Sequence, residues 1–241
     1  MKFTNAKEGL SRMGFLFSPR LIHYANGILN YLNVGRWFYD RQLAVPVRLA
    51  TREALHHHVA AGVAEPATYV EFGVFKGESL KRWSTLLKHP DSGFHGFDSF
   101  EGLPETWNYF MSKEVLNVGG ALPDIRDSRV RLFKGWFSDT TPAYVAALKP
   151  RDSLVIHLDA DIYSSTIYVL RQMRPFLKPG VILMFDEFFD REHELKAFTE
   201  FLAEFPMEIE CLAATRALTQ VAFRITKIPH TASAGAVANA G

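Results

Sequence analysis

The chain is poor in cysteine and in net charge. Its 241 residues include one cysteine, Cys211, which excludes an internal disulfide and a cysteine-based zinc site. The 27 basic and 26 acidic side chains leave a formal net charge of +1, so no overall field recruits nucleic acid or an anionic membrane. We therefore expect no nucleic-acid partner, and the cysteine content fits a reducing compartment.

Long apolar runs are also missing. No segment approaches the roughly 20 consecutive apolar residues that a membrane-spanning helix requires. The N-terminus lacks an uninterrupted apolar core followed by a small-residue cleavage site, which a signal peptide would carry. We therefore expect a cytoplasmic protein without stable membrane insertion.

From residue 67 onward, strand-like and helix-like segments alternate. The predicted strands cover residues 68–73, 93–98, 129–134, 153–159, 180–186, 207–213 and 219–226. The predicted helices lie near residues 77–88, 140–148, 164–176 and 190–204. This alternation predicts an α/β fold with a mostly parallel sheet of seven strands covered by helices on both faces. The short link at 214–218 suits an antiparallel pair of strands at the sheet edge.

The remaining segments flank this predicted sheet domain of residues 67–228. Residues 1–66 are predicted to form a helical cap or lid, and residues 229–241 a disordered tail without core-forming side chains. An apolar stripe at helical spacing runs along the cap: Leu21, Ile22, Ala25, Ile28, Leu29 and Leu32. The stripe has several interpretations: an internal packing face, a lid over the substrate, a membrane anchor, or a contact that joins copies into a homo-oligomer.

The segment at residues 69–79 predicts a ligand-binding turn. A strand ends in Glu71-Phe72-Gly73, and Gly77 follows at the start of a helix. Gly73 permits a sharp turn, and Gly77 allows close packing against the helix start. Because an unpaired carboxylate in an apolar strand end is costly, Glu71 suits a ligand with a positive charge, such as an amine or a sulfonium.

Two further strand ends add to this predicted site. Asp98 closes the second strand, where an acidic residue grips the hydroxyls of an adenosine ribose. The alternative for Asp98 is a turn or helix cap. Trp136 follows the third strand and offers a flat surface for an adenine ring, with ordinary core packing as its alternative.

Carboxylates end the fourth and fifth predicted strands. Asp159 follows a strand that also contains His157, and Asp186 and Glu187 follow the next strand. Three carboxylates in one concave site repel each other unless a cation neutralises them. An all-oxygen set suits Mg²⁺, Mn²⁺ or Ca²⁺ rather than zinc. The alternative is that Asp186 and Glu187 cap the following helix.

Five motifs in order resemble those of class I S-adenosylmethionine-dependent methyltransferases. They are residues 70–77 (VEFGVFKG), 97–104 (FDSFEGLP), 135–140 (GWFSDT), 158–166 (LDADIYSST) and 177–180 (LKPG). More closely, they resemble the macrocin O-methyltransferase family. The resemblance covers about residues 67–190.

This resemblance implies a Rossmann-like sheet of seven strands, bound S-adenosylmethionine, a Mg²⁺ ion and a small-molecule hydroxyl acceptor such as a natural-product sugar. The metal ligands it implies are Asp159, Asp186 and Glu187, and Glu187 departs from the family's usual aspartate. The implied donor-binding residues are Glu71, Gly73, Gly77, Ser79, Asp98, Ser99, Phe100, Glu101, Gly102, Trp136, Phe137, Asp159 and Ala160. Asp159 is the expected base, and His157 is either a core residue or an auxiliary base.

Two other functions remain as alternatives. A nicotinamide dehydrogenase would have a tighter Gly-x-Gly-x-x-Gly turn than the spacing of Gly73 and Gly77 gives. A non-catalytic or metal-independent protein that binds S-adenosylmethionine is the other alternative, and the glutamate at position 187 keeps it open.

Overall fold

The computed structural model describes residues 2–108 and 110–229. Within these residues, eight strands form one sheet. In chain order they are β1 (Arg48–Leu49), β2 (Ala67–Phe72), β3 (Gly93–Asp98), β4 (Val130–Lys134), β5 (Ser153–Leu158), β6 (Ile182–Phe185), β7 (Glu208–Thr215) and β8 (Val221–Lys227).

The order across the sheet is β1-β7-β8-β6-β5-β2-β3-β4. Strand β8 runs antiparallel to both β6 and β7, and the other neighbouring strands are parallel. The mixed, mostly parallel sheet is therefore confirmed. From β2, the chain order runs to β3 and β4 on one side and to β5 and β6 on the other. This reversal is a topological switch point, beside which open α/β sheets bind their ligands.

The predicted count of seven strands is wrong, because the sheet has an eighth strand, β1. Strand β1 pairs in parallel with β7 and lies outside the antiparallel pair, at the sheet edge. Backbone hydrogen bonds from Ala214 N to Val47 O and from Arg216 N to Leu49 O, each 3.0 Å long, hold it there. A strand of two residues carries no alternating pattern, so the sequence gives no period from which to predict it.

Seven α-helices are present in the described residues. They are α1 (Lys2–Met13), α2 (Pro19–Asp40), α3 (Arg52–Ala60), α4 (Glu78–Leu86), α5 (Phe137–Ala147), α6 (Tyr163–Met173) and α7 (Glu194–Glu204). Short 3₁₀ turns cover Gly14–Leu16 and Arg174–Phe176. None of the helices described combines the length and apolar character needed to cross a bilayer.

The two faces of the sheet carry separate apolar cores. Along β2, Val70 and Phe72 pack into the core that α6 and α7 cover, whereas Ala67 and Tyr69 pack into the core under α3 and α4. This division follows from the alternation of side chains along a strand. Glu71 lies on the same face as Tyr69 and therefore points toward α3 and α4.

The N-terminal helices meet the sheet through the second half of α2. Ser18 caps α2 by accepting a hydrogen bond from the Leu21 amide, and Pro19 occupies the first turn, where proline is tolerated. Near the other end, Trp37 is buried and its indole N–H donates to Thr199 of α7 at 2.9 Å. The apolar stripe of α2 is exposed, and Leu32 retains 64% of its accessible surface. The stripe therefore does not pack against the described parts of the chain.

The predicted domain divisions stay predictions. Strand β1 and helix α3 precede residue 67, and both belong to the sheet and its covering layer. Thr51 caps α3 through a 3.1 Å hydrogen bond from the Ala54 amide, so this helix begins directly after β1. The predicted disordered tail, residues 229–241, lies outside the described residues from position 230 onward.

Candidate active site

A cavity of about 810 Å³ opens at the carboxyl ends of β2, β3, β5 and β6. This volume lies within the usual range of small-molecule sites. Sequence reasoning singled out ten of its lining residues: Gly73, Asp98, Ser99, Gly102, Trp136, Phe137, Asp159, Ala160, Asp186 and Glu187. Lining residues that sequence reasoning did not single out include Arg52, Leu103, Trp107, Met111 and Tyr168.

Gly73 brings the end of β2 against the end of β5. Its φ is +97°, and a Cβ built on it would lie 1.7 Å from the carbonyl oxygen of Asp159. No other residue fits this position, since both the backbone angle and the space exclude a side chain. The same contact fixes the turn after β2 directly beside the carboxylate that follows β5.

Asp98 holds the turn after β2 through backbone hydrogen bonds. Its Oδ2 accepts from the amides of Val74 and Phe75 at 2.8 and 2.7 Å, and its Oδ1 accepts from the Phe100 amide at 2.6 Å. A carboxylate has about four acceptor positions, so one remains available on Oδ1. These bonds are those of a turn cap, which was the alternative role for Asp98. Because Asp98 also lines the cavity, it can cap the turn and contact a ligand.

Glu71 lies beneath the cavity floor. It is fully buried, and it accepts hydrogen bonds from the hydroxyls of Ser79 and Tyr69, the latter at 2.8 Å. Burial raises the pKa of Glu71 to about 7, and the hydrogen bonds from Ser79 and Tyr69 oppose this shift without cancelling it. Neither Glu71 nor Ser79 lines the cavity, so any effect on a ligand there is indirect.

The other predicted donor-binding residues divide by position. Trp136 remains 36% exposed at the cavity wall, which contradicts the core-packing alternative. Phe100 is fully buried and Glu101 is exposed, and neither lines the cavity. Gly77, with φ at +76°, caps α4 and packs on Pro123 instead.

The predicted carboxylates meet at the ends of adjacent strands. The Asp159 amide donates to Phe72 O of β2 at 2.9 Å, and the Asp186 amide donates to Leu158 O of β5 at 3.0 Å. Each aspartate therefore stands one position beyond a paired strand. The helix-capping alternative for Asp186 and Glu187 is wrong, because α7 begins only at Glu194.

Arg52 lies between two of these carboxylates. Its Nη2 is 2.6 Å from Asp159 Oδ2, and its Nη1 is 3.0 Å from Asp186 Oδ2. Burial lowers the pKa of Arg52, but the charges of Asp159 and Asp186 raise it by more. The pKa therefore lies above its ordinary value, and the guanidinium stays charged. Arg52 thus supplies the positive charge that the carboxylates require.

One positive charge does not neutralise the whole cluster. The pKa of Asp159 is raised to about 7, mainly by burial and next by the negative charge of Asp186, although the charge of Arg52 opposes the shift. The pKa of Glu187 is raised to about 8, mainly by burial and next by the negative charges of Asp186 and Asp159. The site therefore retains unmet negative charge when its carboxyls ionise, which favours a further cation.

Glu194 supports the loop that carries Glu187. It is fully buried, and its Oε2 accepts a 2.9 Å hydrogen bond from the Glu187 amide. Burial raises the pKa of Glu194 well above its ordinary value, and the Glu187 charge adds to the shift. The Glu194 side chain thereby helps to fix the backbone at the third carboxylate.

His157 is buried on the α3–α4 side of the sheet and does not line the cavity. Its Nδ1 lies 2.7 Å from the Tyr69 hydroxyl, and its Nε2 lies 3.7 Å from Asp186 Oδ1. His56 of α3 packs edge-on against it, with ring centroids 5.2 Å apart. The structure thus joins the predicted histidine to the carboxylates through Asp186 rather than through the cavity.

Arg52 is the main residue that sequence reasoning missed. It lies 107 positions from Asp159 along the chain, so no local motif links them. Its place is set by β1, which runs parallel to β7 and, through the antiparallel β8, to β6, so the carboxyl end of β1 faces the edge where the site forms. Because β1 itself has no sequence pattern, the sequence offers no signal for Arg52.

The residues present fit both groups that the resemblance implies. The cavity runs from the turn at Gly73 and Asp98 to the carboxylates, which suits a nucleoside-sized donor beside an acceptor. Oxygens of Asp159 and Asp186 converge on one cation, Arg52, and Glu187 lines the same cavity. Among the described residues, however, these three carboxylates do not form a group whose candidate ligand atoms all lie within 4.8 Å of one another, so Glu187 would have to move toward the two aspartates to complete the set. Such an oxygen-only set matches the preference of Mg²⁺.

The model of the family described as Macrocin-O-methyltransferase (TylF) matches residues 47–211 of this chain. The matched region is more than half of the chain. It begins at Val47, immediately before β1, and includes all of the carboxylates and Arg52.

Two curated relatives are O-methyltransferases from Streptomyces. An 8-demethyl-8-(2,3-dimethoxy-alpha-L-rhamnosyl)-tetracenomycin-C 4'-O-methyltransferase from Streptomyces olivaceus is 32% identical over 144 residues, 51% of this chain and 53% of the relative. A demethyldecarbamoylnovobiocin O-methyltransferase from Streptomyces niveus is 26% identical over 172 residues, 63% of this chain and 64% of the relative. The matches therefore span less than two thirds of either relative.

Solved structures share the fold. The O-methyltransferase NovP aligns with a TM-score of 0.56 and 23% identity, covering 73% of this chain and 80% of NovP. At this identity the likeness concerns the Rossmann-like methyltransferase fold, which agrees with the fold predicted from the sequence.

Proposed function

Because the chain belongs to the macrocin O-methyltransferase family, we propose that it transfers the methyl group of S-adenosylmethionine to a hydroxyl of a small molecule. The acceptor we propose is a sugar of a natural product or a similar diol, since the name of one relative describes methylation of a rhamnosyl group. The observation that carries the proposal is the single cavity that joins the turn after β2 to the carboxylates after β5 and β6.

On the donor side, the proposed roles follow from position. Asp98 has one acceptor position left for a ribose hydroxyl, and Trp136 offers an exposed ring at the cavity wall for adenine. Gly73 lines the cavity and lets the turn after β2 pack directly on the backbone of Asp159. Glu71 acts indirectly, by placing negative charge beneath the end that carries the ammonium group.

On the acceptor side, Asp159, Asp186 and Glu187 would hold Mg²⁺. When bound, such an ion lowers the pKa of a coordinated hydroxyl and orients it. The carboxylates hold these oxygens on adjacent strand ends, so the sheet fixes their spacing. Arg52 must release Asp159 or Asp186, at least in part, for the ion to use the same oxygens.

Asp159 is the proposed proton acceptor. In the reaction the S–CH₃ bond breaks, an O–CH₃ bond forms, and the hydroxyl proton passes to a carboxylate oxygen of Asp159. Its raised pKa of about 7 suits a base that works near neutral pH. Since Gly73 packs against Asp159, the base and the donor turn share a fixed separation, and positioning supplies part of the rate.

The test is donor binding followed by transfer. Calorimetry on the full chain should show binding of S-adenosylmethionine and no binding of NAD. Asp98→Asn should weaken the affinity by at least about tenfold, because the asparagine NH₂ group can accept neither from the ribose hydroxyl nor from a backbone amide that the carboxylate now binds. Asp124→Asn is the matched control, because Asp124 is an exposed carboxylate that does not line the cavity. A panel of glycosylated acceptors should then include one that gains a methyl group by mass spectrometry. Absence of donor binding by the folded protein would rule out the proposal.

A metal-independent enzyme is the second candidate, and Arg52 is the observation that favours it. The guanidinium already bridges Asp159 and Asp186, and it can neutralise them without an ion. In that case turnover survives excess chelator and is lost in Arg52→Gln. If chelator abolishes turnover and Mg²⁺ restores it, this candidate is excluded.

We also propose that α2 joins copies of the chain, which is one of the interpretations open for its apolar stripe. The support is the exposed stripe, in which Ile28 retains 65% and Leu32 64% of their accessible surface. Sedimentation of the full chain should show a dimer or larger species. Substitution of Ile28 and Leu32 by serine should yield a folded monomer, and an unchanged sedimentation coefficient would rule the contact out.

A further inference from the structure

A second group of potential metal ligands lies behind the carboxylates of the cavity. It consists of His56 on α3, His157 on β5 and Asp186 after β6, and one ligand atom from each lies within 4.8 Å of the other two. All three residues are buried, with at most 4% of the surface of each exposed. The group contains two nitrogens and one oxygen, so its chemistry differs from that of the all-oxygen set in the cavity.

The hydrogen bonds around His157 fix which of its nitrogens is free. When Glu71 is ionised, the Tyr69 hydroxyl donates to Glu71 Oε2 at 2.8 Å and therefore accepts from His157 Nδ1, which is 2.7 Å away. A neutral imidazole with its proton on Nδ1 carries a lone pair on Nε2. That lone pair faces Asp186 Oδ1 at 3.7 Å. Two electron-rich atoms therefore face each other in a dry environment.

Two of the three candidate ligand atoms lack a partner. Within the described part of the chain, neither His56 Nε2 nor Asp186 Oδ1 makes a hydrogen bond. On its other side, His56 Nδ1 lies 3.5 Å from Arg82 Nη1, at the outer limit of a hydrogen bond, and this long contact leaves either tautomer of His56 open. Buried polar atoms without partners are uncommon and costly, and a cation between these atoms would satisfy all three.

We propose that His56 Nε2, His157 Nε2 and Asp186 Oδ1 form a binding site for a divalent transition metal, with Zn²⁺ as the reference ion. Imidazole nitrogen prefers such ions over Mg²⁺, and three protein ligands leave a fourth position of a tetrahedral site open. Tyr69 holds the ring of His157 in the tautomer that coordination needs, as outer hydrogen bonds do in metal sites.

This site shares one carboxylate with the cavity. Asp186 directs Oδ2 toward Arg52 at 3.0 Å, while Oδ1 faces the histidines. The proposed ion would therefore lie deeper than the methyl-transfer chemistry and touch it through Asp186 alone. Its existence does not depend on the proposed methyltransferase function.

The experiment measures Zn²⁺ binding by the folded full chain in a Zn²⁺ buffer that suppresses weak surface binding. With Mg²⁺ in large excess to occupy the all-oxygen set, the wild type should bind one equivalent of Zn²⁺. His56→Gln and His157→Gln should each weaken binding by more than the roughly 10- to 100-fold that loss of an outer hydrogen-bond partner costs. His57→Gln is the matched control, because His57 neighbours His56 on α3 but is exposed. Glu187→Gln should leave Zn²⁺ affinity unchanged, since Glu187 belongs to the all-oxygen set alone.

X-ray absorption at the zinc edge provides a measurement that needs no variant. The wild type should show two imidazole nitrogens and at least one oxygen around the ion. The proposal is wrong if no stoichiometric Zn²⁺ binds, if the spectrum lacks two imidazoles, or if His57→Gln weakens binding as much as His56→Gln does. Methyl transfer by a protein that fails these tests would leave the proposed function standing.

Discussion

Arg52 and a divalent ion compete for the same two carboxylate oxygens, and this competition can be measured. Arg52 makes charge-assisted contacts of 2.6 Å to Asp159 and 3.0 Å to Asp186. Hydrogen bonds to charged groups contribute roughly 1.5–3 kcal/mol each, so the pair contributes about 3–6 kcal/mol. An ion that displaces the guanidinium from one of the two carboxylates therefore loses about 1.5–3 kcal/mol of binding free energy. Arg52→Gln should therefore tighten Mg²⁺ binding by about 10- to 100-fold, since each 1.4 kcal/mol is a factor of about ten.

The assay is calorimetric titration of Mg²⁺ at constant ionic strength with S-adenosylhomocysteine present. Arg48→Gln is the matched control, because it removes the same charge from the preceding strand. Arg48 is exposed and bonds to the carbonyl of Arg216 rather than to a carboxylate. An unchanged or weaker Mg²⁺ affinity in Arg52→Gln would show that the ion does not use these oxygens. An equal gain in Arg48→Gln would attribute the effect to net charge alone.

Three further predictions follow from the site. Asp159→Asn should lower turnover on an identified acceptor by about 100-fold or more, the scale of general base catalysis, while calorimetry shows donor affinity essentially unchanged; full turnover would exclude Asp159 as the base. Trp136→Ala should weaken S-adenosylmethionine binding by about tenfold through loss of stacking, and Trp136→Phe should retain most of it; equal losses in both would contradict a stacking role. Since the folded pKa of Glu71 is raised to about 7, above its ordinary 4.5, the ligand-free protein binds this proton more tightly than the unfolded chain does. The contribution of Glu71 to the free energy of unfolding should therefore fall by roughly 3 kcal/mol as pH rises from about 4.5 through 7. Thermal melts of Glu71→Gln should show a slope that is shallower by this amount, with the contributions of Asp159 and Glu187 remaining; an identical slope in that variant would refute the assignment.

The sheet could be predicted from the sequence wherever strands are buried and continuous. Segments such as Leu154-Val155-Ile156 are apolar on both faces, as a parallel strand between two helical layers requires. Strand β1 could not be predicted, because its two residues are held by backbone bonds to β7, and such bonds carry no side-chain signal.

The candidate site was predictable to the extent that topology alone determines it. Asp159 and Asp186 meet because they end neighbouring parallel strands. Glu71 lies outside the cavity because strand alternation turns it toward α4, where Ser79 binds it. Arg52 approaches from β1, so its ion pairs depend on the one strand that the sequence does not reveal.

The contact between Gly73 and Asp159 also limits how the protein can be redesigned. A side chain at Gly73 would collide with backbone rather than with a movable group, so a library that varies this position should return inactive or unfolded proteins. Another part of the cavity lining, at Leu103, Trp107 and Met111, belongs to the connection from β3 to β4. Diversity introduced there changes the shape offered to an acceptor without moving the donor turn or the carboxylates. A search for variants with new acceptors should therefore begin on that connection.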